Sequence, residues 1–236
     1  INAIAKKYSL KVIEDAAQAI GATYKDKFAG TLGDLGVFSL NVHKHIQSGE
    51  GGVVVTNDDA LANRVRLIRN HGEAVVGDKG DTDIVNMVGF NFRMTELEAA
   101  VNQEQLRKLK PLLEKRLEHC EYLMGQLKDI PALSIPPVRP GATHAYYLQP
   151  FLFNADKAGV ARDTFVKALT AELAPTAGDE ALGVALWSGY SKPLYLQPMY
   201  QKQIAYGRGG FPFHGPHYNG KANYEKGICP VAERMY

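Results

Sequence analysis

The stretch GDLGVFSLNVHKHIQSGEGG (residues 33–52) indicates the fold of this chain. It contains a short apolar run, GVFSL (36–40), and a glycine-rich turn that leads into a second run, GGVVVTND (51–58). A third run, LKVIEDAA (10–17), precedes both. Short apolar runs that are bounded by turn residues and alternate with helix-like segments are typical of α/β proteins with parallel strands. The sequence therefore predicts an α/β fold built around a mainly parallel sheet.

A long helix is predicted downstream of these strands. Thr95 and Glu98 have the spacing of a capping box, and apolar residues at helical spacing continue through residues 97–117. Pro111 falls inside this stripe, where a proline removes one backbone hydrogen bond and crowds the preceding turn. We therefore expect a kink, or a break between two helices, at Pro111.

The chain divides on this basis into two predicted domains, residues 1–110 and residues 111–236. The first would be the C-terminal part of a large parallel-sheet domain, and the second an incomplete, smaller α+β domain. Within the second, HAYYLQPFLF (144–153) is a candidate strand and residues 161–173 are a candidate helix. Residues 187–230 are rich in glycine, proline and tyrosine, which predicts mainly loops.

Composition limits the function classes. With 236 residues, 45% of them hydrophobic, the chain can form one large or two modest domains. A formal net charge of +2 gives no field that favours nucleic acid, and no apolar stretch approaches the ~18 residues of a membrane span. Two cysteines without CxxC pairing fit a reducing, cytoplasmic setting. Because Ile1 is not a methionine and the last residues carry no helix-ending signal, we expect the chain to be truncated at both ends.

Asp15 and Lys44 are the candidate catalytic residues. Asp15 ends an apolar strand, at the edge where open α/β sheets bind ligands. A strand-end aspartate is usually a turn or cap residue, but it could also pair with a cationic ring nitrogen and keep that nitrogen protonated. Lys44 follows the GVFSL strand. A lone lysine is usually a solvated surface charge, yet near the same edge it could supply a partly desolvated amine for Schiff-base chemistry.

Ser39 and the glycines of GEGG (49–52) are candidate anion ligands, since a hydroxyl and exposed backbone N–H groups can hold a phosphate. The same glycines would also suit a plain β-turn. The sequence contains neither a P-loop motif nor a GxGxxG motif after a strand. His43 and His45 lack the helical i, i+4 spacing and the cysteine partners of a metal site, so no metal is predicted.

Five motifs occur in a specific order. They are VIEDAAQA (12–19), GDLGVFSL (33–40), Lys44, GEGG (49–52) and GFNFRM (89–94). This ordered set resembles the DegT/DnrJ/EryC1/StrS family of sugar aminotransferases, and the match continues more loosely into the second half of the chain. The resemblance implies the fold-type-I transferase fold and pyridoxal 5'-phosphate (PLP) as the cofactor.

The resemblance also implies a role for individual residues. Asp15 would pair with the pyridine nitrogen of PLP, and Gln18 would hydrogen-bond the ring oxygen. Ser39 would contact the phosphate, and Lys44 would be the Schiff-base lysine that also moves protons. Asn91 would reach the phosphate of the neighbouring subunit's cofactor, which implies a homodimer with shared active sites.

The function implied by the resemblance is transfer of an amino group from an amino acid, with glutamate the expected donor, to a keto group of a nucleotide-linked sugar. Such a reaction serves amino-sugar biosynthesis for cell-surface polysaccharides or secondary metabolites. Two alternatives stay open. A dehydratase branch of the family has histidine at the lysine position, and Lys44 lies between His43 and His45. The other alternative is a non-catalytic regulatory protein of the same fold, although all five cofactor residues are present.

Family members also carry a preceding segment with a phosphate loop and an aromatic residue that stacks on PLP. Neither feature is found before the strands of this chain. We therefore expect this chain alone to bind PLP poorly and to turn over slowly or not at all, whereas the intact parent protein would be active.

Overall fold

The computed structural model of the protein describes residues 1–72, 87–173, 186–188, 192–215, 218 and 220–236. These residues form two compact units, Ile1–Leu152 and Phe153–Tyr236. The boundary expected between residues 110 and 111 lies instead inside a helix of the first unit. As a statement about the domains of the protein, the division into 1–110 and 111–236 stays a prediction.

The first unit contains a three-stranded sheet in the order β1–β4–β5. Strand β1 (Ile13–Asp15) and the central strand β4 (Leu35–Ser39) are parallel, as the sequence predicted. Strand β5 (Gly52–Val55) is antiparallel to β4. This pairing differs from a wholly parallel sheet because the turn after β4 returns the chain directly, without the crossover helix that a parallel pair needs.

A small hairpin lies between β1 and β4 in the chain. It consists of β2 (Thr23–Tyr24) and β3 (Lys27–Phe28). In β4, a Cβ atom on Gly36 would lie 1.9 Å from the carbonyl oxygen of Gly30. The turn that follows β3 therefore packs directly on the backbone of β4, a close approach that a glycine permits.

Helix α3 (Glu96–Leu127) begins with the predicted capping box, which is confirmed. The hydroxyl of Thr95 accepts a hydrogen bond from the N–H of Glu98, and the Glu98 carboxylate accepts one from the N–H of Thr95. The hydrogen bonds that the N–H and the hydroxyl of Thr95 donate to this carboxylate lower the pKa of Glu98. The helix then runs through Pro111 without ending, so the expected break between two helices was wrong. A proline removes one backbone hydrogen bond, and the turns on both sides keep theirs.

The candidate strand at 144–153 was wrong over most of its length. Only Leu152–Phe153 (β7) is extended, and Tyr146 has a left-handed backbone with φ of 46°. The candidate helix at 161–173 is confirmed as α5, Arg162–Glu172. The remaining elements are α1 (Asn2–Lys7), α2 (Asp59–Arg69), β6 (Leu133–Ser134), α4 (Ala155–Ala158), a 3₁₀ turn at Leu194–Leu196, α6 (Pro198–Lys202) and α7 (Pro230–Met235).

The most buried side chains of the described residues stand next to the predicted site residues. Ala16 follows Asp15 at the end of β1, and Leu40 follows Ser39 at the end of β4. Ile46 lies two positions after Lys44 in the turn that leaves β4. The others are Ala5, Leu67, Ala145 and Tyr146. The core therefore supports the strand ends from which the candidate residues project.

Candidate functional site

Two candidate residues leave the sheet at the carboxyl ends of adjacent strands. Asp15 is the last residue of β1 and lies opposite Val37 in the parallel strand β4. Ser39, the last residue of β4, is two positions beyond Val37. Residues opposite one another in neighbouring strands share a face of the sheet, and so do residues two apart in one strand. The side chains of Asp15 and Ser39 therefore lie on the same face.

Asp15 is exposed at this edge, and one of its two carboxylate oxygens is engaged. Its Oδ1 accepts a hydrogen bond of 3.1 Å from the backbone N–H of Ala17. No hydrogen bond or ion pair to Oδ2 is formed by another residue in the described ranges. The next backbone N–H, of Ala16, donates to the carbonyl of Val37 at 2.9 Å and extends the parallel ladder. The carboxylate is thus held in place by the backbone while one oxygen faces outward.

Glu14, the residue before Asp15, is on the opposite face, and both oxygens of its carboxylate are engaged by backbone N–H groups of the chain. Its carboxylate accepts hydrogen bonds from the N–H groups of Gly30 at 3.0 Å and Gly33 at 2.5 Å, and a third from Leu32. The turn at residues 30–33 is wrapped around the half-buried Glu14 carboxylate.

The turn between β4 and β5 places Ser39 beside the glycine-rich segment. The Ser39 hydroxyl oxygen accepts from the N–H of Asn41 at 3.2 Å, so its own O–H remains available as a donor. The backbone N–H of Leu40 donates to the carbonyl of Gly51 at 2.9 Å. Gly49 has φ of 86°, a left-handed conformation that favours glycine. The glycine turn that the sequence predicted as the alternative to an anion site is thus present, and the Ser39 hydroxyl lies at its start.

A polar contact that the sequence did not indicate ties this turn to helix α3. The Asn102 side-chain N–H donates to the hydroxyl of Ser48 at 2.9 Å, and that hydroxyl donates to the carbonyl of Glu50 at 2.8 Å. The side-chain oxygen of Asn102 is buried and finds no hydrogen-bond partner among the described residues. The partners are 54 positions apart in the chain, which is why no local pattern reveals the contact.

Lys44 is half-buried, and its ammonium lies over an aromatic ring. The distance from Nζ to the centroid of the Tyr147 ring is 4.3 Å. The neighbouring His45 donates from Nε2 to the carbonyl of Ala145 at 2.7 Å. A carbonyl only accepts, so the neutral imidazole carries its proton on Nε2 and its lone pair on Nδ1. That Nδ1 is buried and has no hydrogen-bond partner among the residues that the structure describes.

Burial lowers the pKa of His45, against the opposing effect of the Ala145 carbonyl. The nearby positive charges of Arg116, Lys44 and His144 lower the pKa further. His45 is therefore neutral at pH 7 and serves as a hydrogen-bond donor to the backbone.

Gln18 and Asn91 are exposed, and neither side chain hydrogen-bonds to another residue that the structure describes. Gln18 follows Asp15 closely on the segment that leaves β1. Asn91 instead forms an isolated backbone bridge with Asn70, just after helix α2. The structure therefore brings Asp15 and Ser39 together, places Lys44 in the turn that follows Ser39, and leaves Asn91 on a separate segment.

These side chains fit the chemistry of PLP. Asp15 offers a free carboxylate oxygen for a cationic ring nitrogen, Ser39 offers an O–H donor for a phosphate, and Lys44 offers an amine for an aldehyde. Gln18 offers a carboxamide for a ring oxygen. The unengaged polar groups are of the kinds that this cofactor requires.

The second unit has its own polar cluster, which is closed internally. The hydroxyl of Tyr195 donates to the carboxylate of Glu233, which also accepts from the N–H of Gly227 at 2.5 Å. Desolvation and the contact with Glu233 raise the pKa of Tyr195 to about 12. An open cleft of about 330 Å³ beside it is lined in part by Lys192 and Lys226.

Neither a metal cluster nor a membrane-spanning helix is found in the described part of the chain. Across the residues that the structure describes, no three His, Cys, Asp or Glu side chains converge as metal ligands. None of the described helices combines the length and the apolar character needed to cross a bilayer.

Known proteins resemble the chain over nearly its whole length. A model of the DegT/DnrJ/EryC1/StrS aminotransferase family matches residues 1–235. UDP-4-amino-4,6-dideoxy-N-acetyl-beta-L-altrosamine transaminase of Campylobacter jejuni (serotype O:23/36, strain 81-176) is 40% identical over 152 residues, covering 64% of this chain and 40% of the relative. Spore coat polysaccharide biosynthesis protein SpsC of Bacillus subtilis is 31% identical over 218 residues, covering 90% and 54%. The chain spans about half the length of the curated relatives it matches.

Solved structures agree with the fold. DesV of S. venezuelae, in complex with a ketimine intermediate, superposes with a TM-score of 0.74 at 25% identity, covering 99% of this chain and 52% of that one. The E. coli GDP-4-keto-6-deoxy-D-mannose-3-dehydratase, with bound hydrated PLP, gives a TM-score of 0.61 at 28% identity, covering 72% and 46%. The predicted fold-type-I α/β class is confirmed, and PLP is confirmed as the cofactor of the matched family.

Proposed function

The chain belongs to the DegT/DnrJ/EryC1/StrS aminotransferase family, and on this premise we propose that it carries the catalytic lysine of a PLP-dependent sugar aminotransferase. The enzyme would transfer an amino group from glutamate to a keto group of a nucleotide-linked sugar. The substrate class is supported by the Campylobacter jejuni relative, whose name describes a transaminase of a UDP-linked amino sugar.

One arrangement carries this proposal. Asp15 and Ser39 leave adjacent parallel strands on one face of the sheet, and the half-buried Lys44 follows in the turn after Ser39. A carboxylate and a hydroxyl thus project from one face at the carboxyl edge of the sheet, where open α/β sheets bind their ligands, and the amine belongs to the turn that leaves this edge.

Each residue has a separate task. PLP, when bound, supplies an aldehyde for amines and a ring that withdraws electrons. The outward oxygen of Asp15 holds a proton on the ring nitrogen, because a nearby carboxylate favours the charged form. The hydroxyl of Ser39 donates to the phosphate, which is a charge-assisted hydrogen bond. The Nζ of Lys44, once neutral, takes and returns the proton at the substrate carbon as a general base.

Gln18 and Asn91 extend the proposal. The Gln18 carboxamide would hydrogen-bond the ring oxygen of the cofactor. Asn91 would reach the cofactor phosphate of a second subunit, so the assembly would be a homodimer with shared sites. The cytoplasmic location expected from the two unpaired cysteines also stays a prediction.

Exchange of label between glutamate and 2-oxoglutarate tests the proposal without knowledge of the sugar. The purified full-length protein that contains this chain, supplied with PLP, should catalyse the exchange, and Lys44→Ala in it should lower the rate about a thousandfold, since a lost acid–base group costs about 10²–10⁴ in rate. Lys108→Ala is the matched control, because Lys108 is an exposed lysine on α3. Absence of exchange in the unaltered protein would overturn amino transfer and favour a non-catalytic role. Exchange that survives Lys44→Ala would overturn the assignment of the lysine.

A sugar dehydratase is the second candidate, favoured by the similarity to the E. coli dehydratase. Incubation with UDP- and GDP-linked 4-keto sugars, analysed by mass spectrometry, separates the two. An aminotransferase yields a sugar with one added nitrogen and consumes glutamate. A dehydratase yields a deoxygenated sugar that contains no new nitrogen. We expect the first result, because the motif order aligns Lys44 with the family's Schiff-base lysine and the His45 ring is engaged with the Ala145 carbonyl.

A further inference from the structure

Segment HAYY (144–147) contains Tyr147, whose ring contacts the ammonium of Lys44. The ring of Tyr147 lies beneath the Lys44 ammonium, with Nζ 4.3 Å from the ring centroid. A cation within about 6 Å of an aromatic face is attracted by the negative potential of that face. Lys44 is half-buried and forms no ion pair with any residue of the described ranges. Tyr147 is thus the side chain that stabilises this charge.

The two residues are distant in sequence, and their neighbours hold them together. The His45 ring donates to the Ala145 carbonyl across a separation of 100 residues. The His45 and Tyr147 ring centroids are 6.2 Å apart. Ala145 is 2% exposed and Ile46 is 3% exposed, so both segments are anchored in the core beside this contact. The register of the Lys44 turn against segment 144–147 is therefore fixed.

Segment 144–147 is also rigid in itself. Tyr146 has the left-handed φ of 46°, and its N–H donates to Nδ1 of His144 at 2.8 Å. Its carbonyl accepts from the guanidinium of Arg116, on helix α3, at 3.0 Å. Tyr147 follows Tyr146 directly, so the contact between Arg116 of helix α3 and the Tyr146 carbonyl also restricts the position of the Tyr147 ring.

We propose that Tyr147 is a positioning residue for Lys44: its ring holds the amine in one place before the cofactor arrives. A free lysine side chain samples many rotamers and loses conformational entropy when it is ordered. If the side chain is ordered in advance, this entropy loss is not part of the bond-forming step. The inference rests on the proposed function, in which Lys44 is the lysine that bonds PLP.

Competitive acetylation of the cofactor-free protein measures the effect on Lys44 itself. The probe is isotopically labelled acetic anhydride at low concentration, with modification at Lys44 and Lys108 quantified by peptide mass spectrometry. Lys108 is an exposed lysine on α3 and serves as the internal reference. Tyr147→Leu should raise the acetylation rate of Lys44, relative to Lys108, about threefold, as expected for loss of a cation–π contact at a partly exposed site.

Three further variants make the result specific. Tyr147→Phe keeps the ring and should leave the Lys44 rate unchanged. Tyr147→Met, which fills space without an aromatic face, should reproduce the leucine result and replaces it if the leucine variant does not fold. Tyr122→Leu, at a tyrosine of α3 that is 70% exposed, is the control for losing an aromatic side chain and should change nothing. Equal effects of Tyr147→Phe and Tyr147→Leu, or no effect of either Leu or Met at 147, would overturn the proposal.

The anchoring contact gives a second measurement. His45→Leu should raise the Lys44 rate in the unaltered protein and should have little further effect in Tyr147→Leu, because coupled residues are not additive. Additive effects would contradict the proposed coupling. The acetylation readout needs no cofactor, so it is independent of the function. If the unaltered protein showed no glutamate–2-oxoglutarate exchange, the proposed function would fail while the Tyr147 result could still stand.

Discussion

The two faces of strand β1 carry adjacent carboxylates that differ in burial and in the number of hydrogen bonds they accept. On one face, Glu14 is half-buried and accepts three backbone N–H groups from the turn at residues 30–33. On the other face, Asp15 is exposed, and one of its oxygens accepts a single N–H from Ala17. The same strand thus presents a carboxylate whose two oxygens are both engaged by the backbone and one with an oxygen left available.

The difference separates a structural role from a ligand-binding role. Three backbone donors already occupy both oxygens of Glu14, and these donors would be left unpaired if the carboxylate were removed. A substitution of Asp15 should therefore change the free energy of unfolding little and should strongly weaken the interaction with a bound pyridine ring. Ser39 belongs to the face of Asp15, and the Gly36 close approach belongs to the face of Glu14.

Asp15→Asn should give the largest effect on activity. The amide retains an oxygen for the Ala17 N–H but cannot hold a proton on the ring nitrogen, so glutamate–2-oxoglutarate exchange should fall about 100-fold or more. The urea midpoint should stay where it is. Asp129→Asn, at an exposed position, is the control. A large loss of stability in Asp15→Asn would contradict the distinction between Glu14 and Asp15, since Asp15 would then have a structural role as well.

Glu14→Ala should give the converse result. Three partly buried N–H groups lose their acceptor, and we expect the free energy of unfolding to fall by about 2 kcal/mol. Urea titration followed by circular dichroism measures this change, with Glu172→Ala as the exposed control. At temperatures where the variant is folded, PLP affinity should be nearly unaffected. Weakened PLP binding without destabilisation would show that the two faces are not separable.

Ser39→Ala should give an intermediate effect confined to the cofactor. Losing one hydrogen bond to a charged phosphate should weaken PLP binding by about tenfold. Stability in the absence of PLP should fall only slightly, because Ser39→Ala leaves a single part-buried N–H, that of Asn41, without its acceptor. Equilibrium titration followed by the visible absorbance of bound PLP checks this, with Ser134→Ala as the exposed control. Unchanged affinity would remove Ser39 from the binding face.

The smallest expected effect is a pH dependence of stability from His45. Its folded pKa is lowered by burial, while the unfolded imidazole protonates near its ordinary pKa of about 6.5. The unfolded state therefore gains protons first, and stability should decline as pH falls from about 6.5 toward 5. Arg116, Lys44 and His144 face the ring and oppose its protonation. His45→Gln should flatten the decline in this window, and an unchanged slope would refute this origin.

Local patterns predicted much of the fold. The Thr95–Glu98 capping box and helix α5 were visible because their determinants lie within a few residues of one another. The strand runs were located for the same reason. The failures have a different origin. The break at Pro111 did not occur because neighbouring helical turns compensate for one lost bond, and the strand at 144–153 failed because His144 and Arg116 hold Tyr146 in a left-handed conformation.

The site divides in the same way. Asp15, Gln18, Ser39, Lys44 and Asn91 could be named because ordered motifs carry them. The partners that support them could not be named. Glu14 finds its donors 16 to 19 residues away, and the contact of His45 with Ala145 spans 100 residues. Contacts at such separations depend on the tertiary fold and leave no periodic trace in the sequence.

The distance along the chain between Lys44 and its ring partner has a consequence for biosynthesis. A ribosome adds about 5–20 residues per second, so roughly 5–20 s pass between synthesis of Lys44 and of Tyr147. During that interval the nascent chain presents an unsupported lysine, and we expect stable cofactor capture to begin only after residue 147 has left the exit tunnel. Stalled nascent chains ending before and after this point, probed with PLP and borohydride, would reveal the step, and equal labelling of both would refute it.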